Sequence, residues 1–259
     1  MSRRALKVGG VLCLLVVVAA WTMPLSAQSD VKEKPPMYSY VANWAIPRAQ
    51  WGEMEKSAAA SDAVMQKALA SGTIIGYGDD SVVVHQADGY THDDWWSSMS
   101  MAGLMNALDQ LYKAGNATSS VLDSTTKHTD EIFVSRYYNW KPGSWKGAYG
   151  HAAMYKLKAD APDDAVAMLS KYLFVPFFEK LLAEGTIYEY EVDREAIHTD
   201  NPNNFFVYYL CSSAECLDKV NASLREWTKS NPLGGPAIDS MVDFNAHRDE
   251  LLRANATFK

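Results

Sequence analysis

The sequence predicts an α+β protein built from two tandem βαββαβ units. The first observation is an internal repeat, because residues 38–112 align with residues 151–225 at a constant offset of 113 positions without a gap. A repeat of this length determines the architecture before other features are considered. The second observation is that each copy passes from strand-like to helical spacing of apolar residues in the order strand, helix, strand, strand, helix, strand.

The first 27 residues have the pattern of a secretory signal peptide. Arg3, Arg4 and Lys7 precede a short apolar run, and Ala27 ends a cleavage site of small residues. The run is shorter than a membrane span, and a retained anchor is the alternative. We therefore expect an exported protein, periplasmic or extracellular, without membrane contact after cleavage. Residues 28–36 are polar, end in two prolines and form a linker.

The two units occupy the rest of the chain. We predict the first unit at residues 37–145 and the second at residues 146–250, followed by a flexible tail at residues 251–259. Gly72 and Gly185 stand at matching positions of the two copies. Each is placed where a glycine ends a helix, so the first helix of each unit is expected to stop there.

A strand follows each of these glycines and leads to a duplicated histidine. It is predicted from Thr73 to His85 in the first copy and from Thr186 to His198 in the second. Regular alternation places both histidines on the apolar face of the strand, whereas a bulge near Asp80 would reverse this. The two histidines are either ligand-binding residues or strand-end residues that hydrogen-bond a turn.

The next strand differs between the copies. His92, Asp94 and Trp96 share one face in the first copy, whereas the second copy is apolar at every position from Phe205 to Leu210. An apolar strand of this kind is buried on both faces, so helices would cover one face and the other unit's sheet the second. His92 and Asp94 are either a catalytic pair beside a ligand-binding Trp96 or part of a solvated outer face.

Further candidates stand on the last strand of the first unit, predicted at residues 131–139. Arg136 is a candidate catalytic residue because a guanidinium can hold a carboxylate. Tyr137 is a candidate ligand-binding residue because its hydroxyl can donate a hydrogen bond, and packing in the core is the alternative. The last strand of the second unit is predicted near residues 240–246.

Cys211 and Cys216 remain once the signal peptide is removed. In an oxidising compartment they are candidates for a disulfide, and two unpaired buried thiols are the alternative. No paired C-x-x-C motifs and no His-Cys cluster indicate a zinc site. We therefore predict no metal and no cofactor, although haem bound by a histidine is an alternative that no spacing requires.

The charge of the chain disfavours two classes of partner. The formal net charge is −7, and removal of the three positive residues of the signal peptide makes it −10. Such a surface repels nucleic-acid phosphates and does not favour binding to an anionic membrane surface. The remaining candidate partner is a small-molecule ligand, and the sequence gives no prediction of oligomeric state.

The duplicated βαββαβ order resembles the dimeric α/β-barrel superfamily, in which two ferredoxin-like sheets pack as a homodimer or as a fused pseudo-dimer. The strand that leads to Val83-Val-His85, the following hairpin and the aromatic strand resemble, more loosely, the antibiotic-biosynthesis monooxygenase, EthD and NIPSNAP-type domains. The resemblance implies a pseudo-dimeric α/β barrel. It favours an exported small-molecule-binding protein or, alternatively, a cofactor-independent oxygenase-like or isomerase-like enzyme acting on a small aromatic molecule in the first-repeat pocket.

Overall fold

The computed structural model describes residues 31–87, 89–197 and 203–259. The described strands are β1 (Met37–Trp44), β2 (Gly76–Val82), β3 (His92–Ser98), β4 (His128–Trp140), β5 (Tyr149–Lys156), β6 (Ile187–Glu195), β7 (Asn204–Cys211) and β8 (Arg248–Phe258). The described α-helices are α1 (Trp51–Ala70), α2 (Met101–Ala114), α3 (Ala165–Leu169), α4 (Val175–Ala183), α5 (Ala214–Ser230) and α6 (Gly234–Met241). The predicted signal peptide and His198 lie outside the described residues.

The eight strands form one closed barrel in the order β1-β3-β2-β8-β5-β7-β6-β4. The strands of the first half, β1 to β4, are neighbours, and the strands of the second half, β5 to β8, follow the same spatial order. The halves join where β2 pairs with β8 and where β4 pairs with β6, both antiparallel. Closure leaves none of the described strands with an open edge, which removes a common route to aggregation.

Local sequence signals explain where the helices end. Gly72 and Gly185 have φ angles of 72° and 75°, a conformation that a side chain would disfavour. α2 begins where the Ser100 hydroxyl accepts a hydrogen bond from the backbone N–H of Gly103 at 3.0 Å, and it ends at Gly115 with φ 79°. Both ends of α2 therefore satisfy backbone groups that a helix otherwise leaves unpaired.

The first helix of the second half is interrupted. A π-helical turn at Ser170–Phe174 separates α3 from α4, and Pro176 stands in the first turn of α4. Proline has no backbone N–H, and its ring excludes the carbonyl four residues earlier. The wider turn accommodates both effects without ending the helix.

β2 is shorter than predicted, which changes the position of His85. The strand ends at Val82, so His85 follows it in an exposed segment rather than lying on an apolar strand face. The register shift next to Asp80 concerns the pairing of β2 with β8, where Asn255 is the extra residue. The pairing of β2 with β3 is regular throughout.

The end of the chain was predicted wrongly. Residues 240–246 contain the end of α6 and a 3₁₀ turn, and the last strand is β8. β8 includes most of residues 251–259, which had been predicted as a flexible tail. The error has a physical cause, because one face of β8 borders the polar interior of the barrel and the strand therefore lacks a continuous apolar pattern.

Two apolar clusters lie between the barrel and the helices. In the first half, Leu104 of α2 is fully buried and packs with Tyr77 and Trp96 of the sheet. In the second half, Leu181 of α4 is fully buried in a larger cluster that includes Tyr190. Full burial of a large apolar side chain contributes about 1.5–3 kcal/mol, so the helical layers stabilise the outer face of the barrel. Within the described ranges, no helix has the length and apolar character needed to cross a bilayer.

The interior of the barrel is largely polar. Phe206 of β7 points inward, and its ring centroid lies 4.8 Å from that of Phe133 in β4. The two faces of β7 are thus covered by helices and by the strands of the other half. Most charged side chains that line the interior are carboxyl groups, and Lys259 is the basic residue beside them. The carboxyl groups belong to Asp80, Asp93, Glu131, Glu189, Glu191, Asp193 and Glu250.

Candidate functional site

A cleft separates the outer face of the first-half sheet from helices α1 and α2. Its volume is about 100 Å³, somewhat below that of an engineered cavity that holds one benzene ring, about 150 Å³. We call it the first-half cleft. Its aromatic walls are formed by Tyr40, Trp44, Tyr77, Trp96 and Tyr112. Its ionisable groups include Asp62, Asp79, Asp94, His128 and Asp130.

Asp79 and Asp94 form a pair of carboxyl groups on the floor of this cleft. They are direct partners in the β2–β3 ladder, so their side chains leave the same face of the sheet side by side. Burial raises the pKa of Asp79 to about 6. Burial, with the charge of Asp79 as a second cause, raises the pKa of Asp94 to about 7. Near neutral pH one carboxyl can therefore hold a proton while the other is ionised, the condition for acid–base chemistry.

The second half has no such pair. At the offset of 113, Asp62 corresponds to Val175, Asp79 to Val192 and Asp94 to Val207. All three valines are buried in the second-half core, and the two strand valines pair in the β6–β7 ladder just as the two strand aspartates pair in β2–β3. The same fold thus forms an apolar core in one half and an acid-lined cleft in the other.

His128 and Asp130 of β4 add a second polar group to the cleft. The Nε2 atom of His128 lies 3.2 Å from Oδ1 of Asp130, and its Nδ1 atom lies 3.0 Å from the carbonyl oxygen of Asn43. The imidazole stacks on the ring of Trp44 at 3.6 Å between centroids. Burial, followed by the charge of Asp130 and a hydrogen bond to its side chain, raises the pKa of Tyr40. Its phenol therefore stays protonated and can act as a hydrogen-bond donor.

The residues of the cleft do not fit a haem iron. His128 is the histidine that lines the cleft, and both of its ring nitrogens already have partners. Across the described ranges, no group of three or more His, Cys, Asp or Glu side chains is arranged to hold a metal ion. The chemistry of the cleft is therefore described below through its own side chains.

Two of the candidates named from the sequence line the cleft. Asp94 is one of them, and Trp96 is the other. The Trp96 ring stacks on Tyr40 at 4.3 Å between centroids, and its Nε1 atom donates a hydrogen bond to the carbonyl of Leu104 at 3.1 Å. Trp96 thus holds the wall of the cleft in place while presenting part of its ring to it.

His92 shares the face of Asp94, as alternation predicts, but it does not line the cleft. It is 3% exposed at the start of β3, where its Nδ1 atom lies 2.9 Å from the hydroxyl of Thr91. Its ring meets Trp51 of α1 edge-on at 5.5 Å, and the exposed His85 stacks on Trp51 at 5.2 Å. Burial, followed by the charge of His85, lowers the pKa of His92 to about 4. His92 is therefore a neutral packing residue at pH 7.

Arg136 and Tyr137 lie away from the cleft. Nη1 of Arg136 is 3.8 Å from Oε2 of Glu33, and the side chain is half exposed. Tyr137 is buried, and its hydroxyl donates a hydrogen bond to Oε1 of Glu33 at 3.1 Å. Both residues thus fix the segment before β1. The structure does not bring His92, Asp94 and Arg136 together, so the catalytic group expected from the sequence is not formed.

Sequence reasoning missed several residues of the cleft. Asp62 and Asp79 could have been found, because each is replaced by valine in the second copy, the same signal that identified Asp94. Tyr40, His128 and Asp130 carry no comparable signal, since His128 and Asp130 stand outside the aligned residues 38–112. Only the pairing of β4 with β1 brings those two residues to Tyr40 and Trp44.

The two cysteines named as disulfide candidates are bonded to each other. Cys211 is the last residue of β7, and Cys216 lies in the first turns of α5. Both are buried. The bond ties the second helix of the second half to its strand and lies outside the first-half cleft.

Comparisons with known proteins support the fold. No family model matches the sequence, and no curated protein shows significant sequence similarity. A putative monooxygenase from Lactobacillus acidophilus aligns with a TM-score of 0.63 at 12% identity, over 87% of this chain and 97% of the other. A putative monooxygenase from Fusobacterium nucleatum aligns with a TM-score of 0.59 at 7% identity, over 87% and 95%. An anthrone oxidase-like protein aligns with a TM-score of 0.54 at 11% identity, over 87% and 93%. At such identities the likeness shows that the chain shares their fold.

Proposed function

We propose that this protein binds a small aromatic molecule in the first-half cleft and moves a proton on it. The observation that carries the proposal is the replacement of three buried valines of the second half by Asp62, Asp79 and Asp94 in the first. Partial burial raises the pKa of Asp79 and Asp94, so keeping carboxyl groups at these positions is unfavourable. A half that keeps them where its duplicate has an apolar core is therefore best explained by a use for them.

The geometry supports proton transfer between two points of one ligand. An aromatic ring enters the cleft beside the stacked Tyr40 and Trp96 rings, and the Tyr40 hydroxyl turns from Asp130 to donate a hydrogen bond to an oxygen of the ligand. The ionised member of the Asp79–Asp94 pair accepts a proton from an acidic C–H or O–H of the ligand. The carboxyl that accepted the proton then returns it to another atom of the ligand, so the ligand is isomerised and the pair regains its starting state.

Oxygenase-like chemistry is the second candidate, favoured by the putative monooxygenases and the anthrone oxidase-like protein that share the fold. In that case, the anion left by proton removal would react with molecular oxygen instead of being protonated again. The same carboxyl pair would perform the first step. Oxygen consumption distinguishes this candidate from isomerisation, and binding without any turnover is the remaining candidate.

We also propose that the barrel is a fused pair of ferredoxin-like units and that the protein is exported. The matching strand order of the halves supports the first statement. The disulfide supports the second, because such bonds persist in oxidising compartments. Mass determination of the mature protein from culture medium or periplasm tests export, with a start at residue 28 as the expected result. Recovery only from the cytoplasm with residues 1–27 intact would contradict it.

The proton-transfer proposal is tested with 2-indanone, an aromatic ketone with acidic C–H groups, which is larger than the cleft and would bind with part of its ring system at the mouth of the cleft. Wild-type protein should accelerate exchange of these protons for deuterium in D₂O, followed by ¹H NMR. Asp94→Asn should reduce the rate by about 10²-fold or more. Asp109→Asn, which changes an exposed residue of α2, is the matched control and should leave the rate unchanged.

A second variant separates binding from chemistry. The double substitution Asp79→Val and Asp94→Val copies the second half into the first, so it should fold and lose both exchange and binding of 2-indanone. If Asp94→Asn binds 2-indanone but exchanges no protons, the hypothesis that the protein is an enzyme is supported. Equal exchange by wild type, Asp94→Asn and the double variant would refute it, and binding alone in the wild type would leave a ligand-binding protein.

A further inference from the structure

The barrel contains a second cavity that the proposed function does not use. Its volume is about 140 Å³, comparable with a cavity that accepts benzene. The β2–β3 strand pair separates it from the first-half cleft, because Asp80 and Asp93 point inward whereas Asp79 and Asp94 point outward. The two cavities therefore lie on opposite faces of one sheet, and Trp95 borders both.

The interior cavity holds more acid than base. Lys259 is fully enclosed, and its ammonium pairs with Glu189 and lies 2.6 Å from Oε1 of Glu191. Burial alone would lower the pKa of Lys259, but the charges of these two glutamates raise it. One cation thus serves two of the buried carboxyl groups, and Asp80 and Asp193 lie beyond this ion pair.

Several buried carboxyl oxygens in the cavity lack a donor, among them one of Asp80 and one of Asp193. Asp80 is 2% exposed and Asp193 is 6% exposed. Oδ2 of Asp80 accepts a hydrogen bond from Nε1 of Trp95 at 3.1 Å, and the carboxyl groups of Asp80 and Asp193 also interact with Asp93 and Ser135. Oδ1 of Asp80 and Oδ1 of Asp193 nevertheless have no hydrogen-bond partner among the described residues. Buried polar atoms usually have partners, so each such atom requires an explanation.

Lys259 shows what kind of group this interior accepts. Its ammonium lies between carboxylates and aromatic faces, 5.1 Å from the Trp95 ring and 5.2 Å from the Trp140 ring. Cation–π attraction operates at these distances. The cavity as a whole carries the same combination, since Asp80 and Asp193 line it together with Trp95, Phe206 and Tyr208.

We propose that the interior cavity is a second binding site, for a small primary amine in its protonated form. Its ammonium would donate hydrogen bonds to the unpaired oxygens of Asp80 and Asp193, and its carbon chain would contact the aromatic walls. The volume limits the ligand to about six non-hydrogen atoms. A protonated primary amine has three N–H donors and can hydrogen-bond several buried oxygens at once, whereas a sodium ion has no hydrogen-bond donor.

Ethylammonium chloride is the probe for this proposal, with sodium chloride at equal ionic strength and ethanol as the uncharged comparison. At pH 8, ethylammonium should raise the melting temperature along a saturable curve, by about 5 °C or more when its concentration is a hundred times Kd. Sodium chloride and ethanol should not give a saturable rise. An equal effect of sodium and ethylammonium would overturn the proposal.

Variants locate the site. Asp80→Asn and Asp193→Asn should each weaken ethylammonium binding by tenfold or more in calorimetric titration, whereas the exposed control Asp109→Asn should match the wild type. If one interior variant does not fold, the other decides, and the wild-type comparison of cations remains decisive alone. Binding that survives both interior substitutions but disappears in Asp79→Asn belongs to the first-half cleft and would overturn the proposal.

Discussion

Substitution of Asp94 by asparagine tests the most consequential electrostatic feature of the first-half cleft. The pKa of Asp94 is about 7 in the folded protein and 3.8 as the reference value. Since the raised pKa means that the folded state holds a proton that the unfolded state has lost, this group's contribution to stability falls as pH rises through 7. Between pH 6 and pH 8 the loss amounts to about 1.4 kcal/mol for one group.

Comparison with the variant isolates this contribution. The histidines act in the opposite direction, because the lowered pKa of His92 makes stability rise with pH over part of the same range. That effect is present in both proteins and cancels in their difference. We therefore expect the free energy of unfolding of Asp94→Asn, relative to wild type, to increase by about 1.4 kcal/mol from pH 6 to pH 8.

Urea unfolding followed by tryptophan fluorescence at pH 6, 7 and 8 measures this difference. Asp109→Asn removes one carboxyl from an exposed position and should show a difference that does not change with pH. The reasoning is refuted if the difference for Asp94→Asn is constant, or if the variant loses stability relative to wild type as pH rises. Either result would mean that Asp94 is ionised in the folded protein well below neutral pH.

Three further predictions concern stability and are measured by the same unfolding assay. Lys259→Met leaves Glu189 and Glu191 without their cation and should lower the free energy of unfolding by about 3–5 kcal/mol. The control Lys229→Met, at an exposed pair with Glu226, should lower it by less than about 1 kcal/mol. Similar losses in the two variants would mean that Lys259 is solvated. Gly78→Ala places a Cβ atom 2.6 Å from the Ala256 carbonyl and 2.8 Å from the Trp95 ring, so it should lower the free energy of unfolding by about 1–3 kcal/mol. The control Gly52→Ala, in an open position of α1, should raise it by about 0.5–1 kcal/mol. An unchanged stability of Gly78→Ala would contradict the close approach. Reduction of the Cys211–Cys216 bond opens the short loop that it closes, and it should lower the free energy of unfolding by about 2 kcal/mol. An unchanged free energy of unfolding, in a protein shown by mass to be reduced, would contradict this prediction.

The sequence predicted which residues share a strand face better than it predicted where the strands begin and end. Alternation correctly assigned Asp94 and Trp96 to one face of β3, and the repeat located the glycines that end helices in both halves. β8 was missed because its inward residues, such as Glu250, are polar and its pattern resembles an exposed segment. A closed barrel with a charged interior removes the apolar signal on which strand prediction depends.

The candidate site was predicted only in part for a related reason. Asp94 was found because its counterpart Val207 made the difference visible within one chain. His92 was grouped with it by parity, which says nothing about distance along the strand or about cover by Trp51. Arg136 was placed on the correct strand, but the β4–β6 register shift between Ser135 and Tyr137 interrupts the alternation from which its facing would be read.

The β2–β3 strand pair carries carboxyl groups on both of its faces, so one layer of backbone is the wall between the two chambers. The charge of Asp79 raises the pKa of Asp80, after burial, and the charge of Asp80 contributes to that of Asp94. A cation bound on the inner side would therefore lower the proton affinity of the pair on the outer side. By linkage, ionisation of the outer pair would strengthen binding of that cation to the same degree. The two sites would therefore be coupled by electrostatic interaction across the strand pair, with no conformational change.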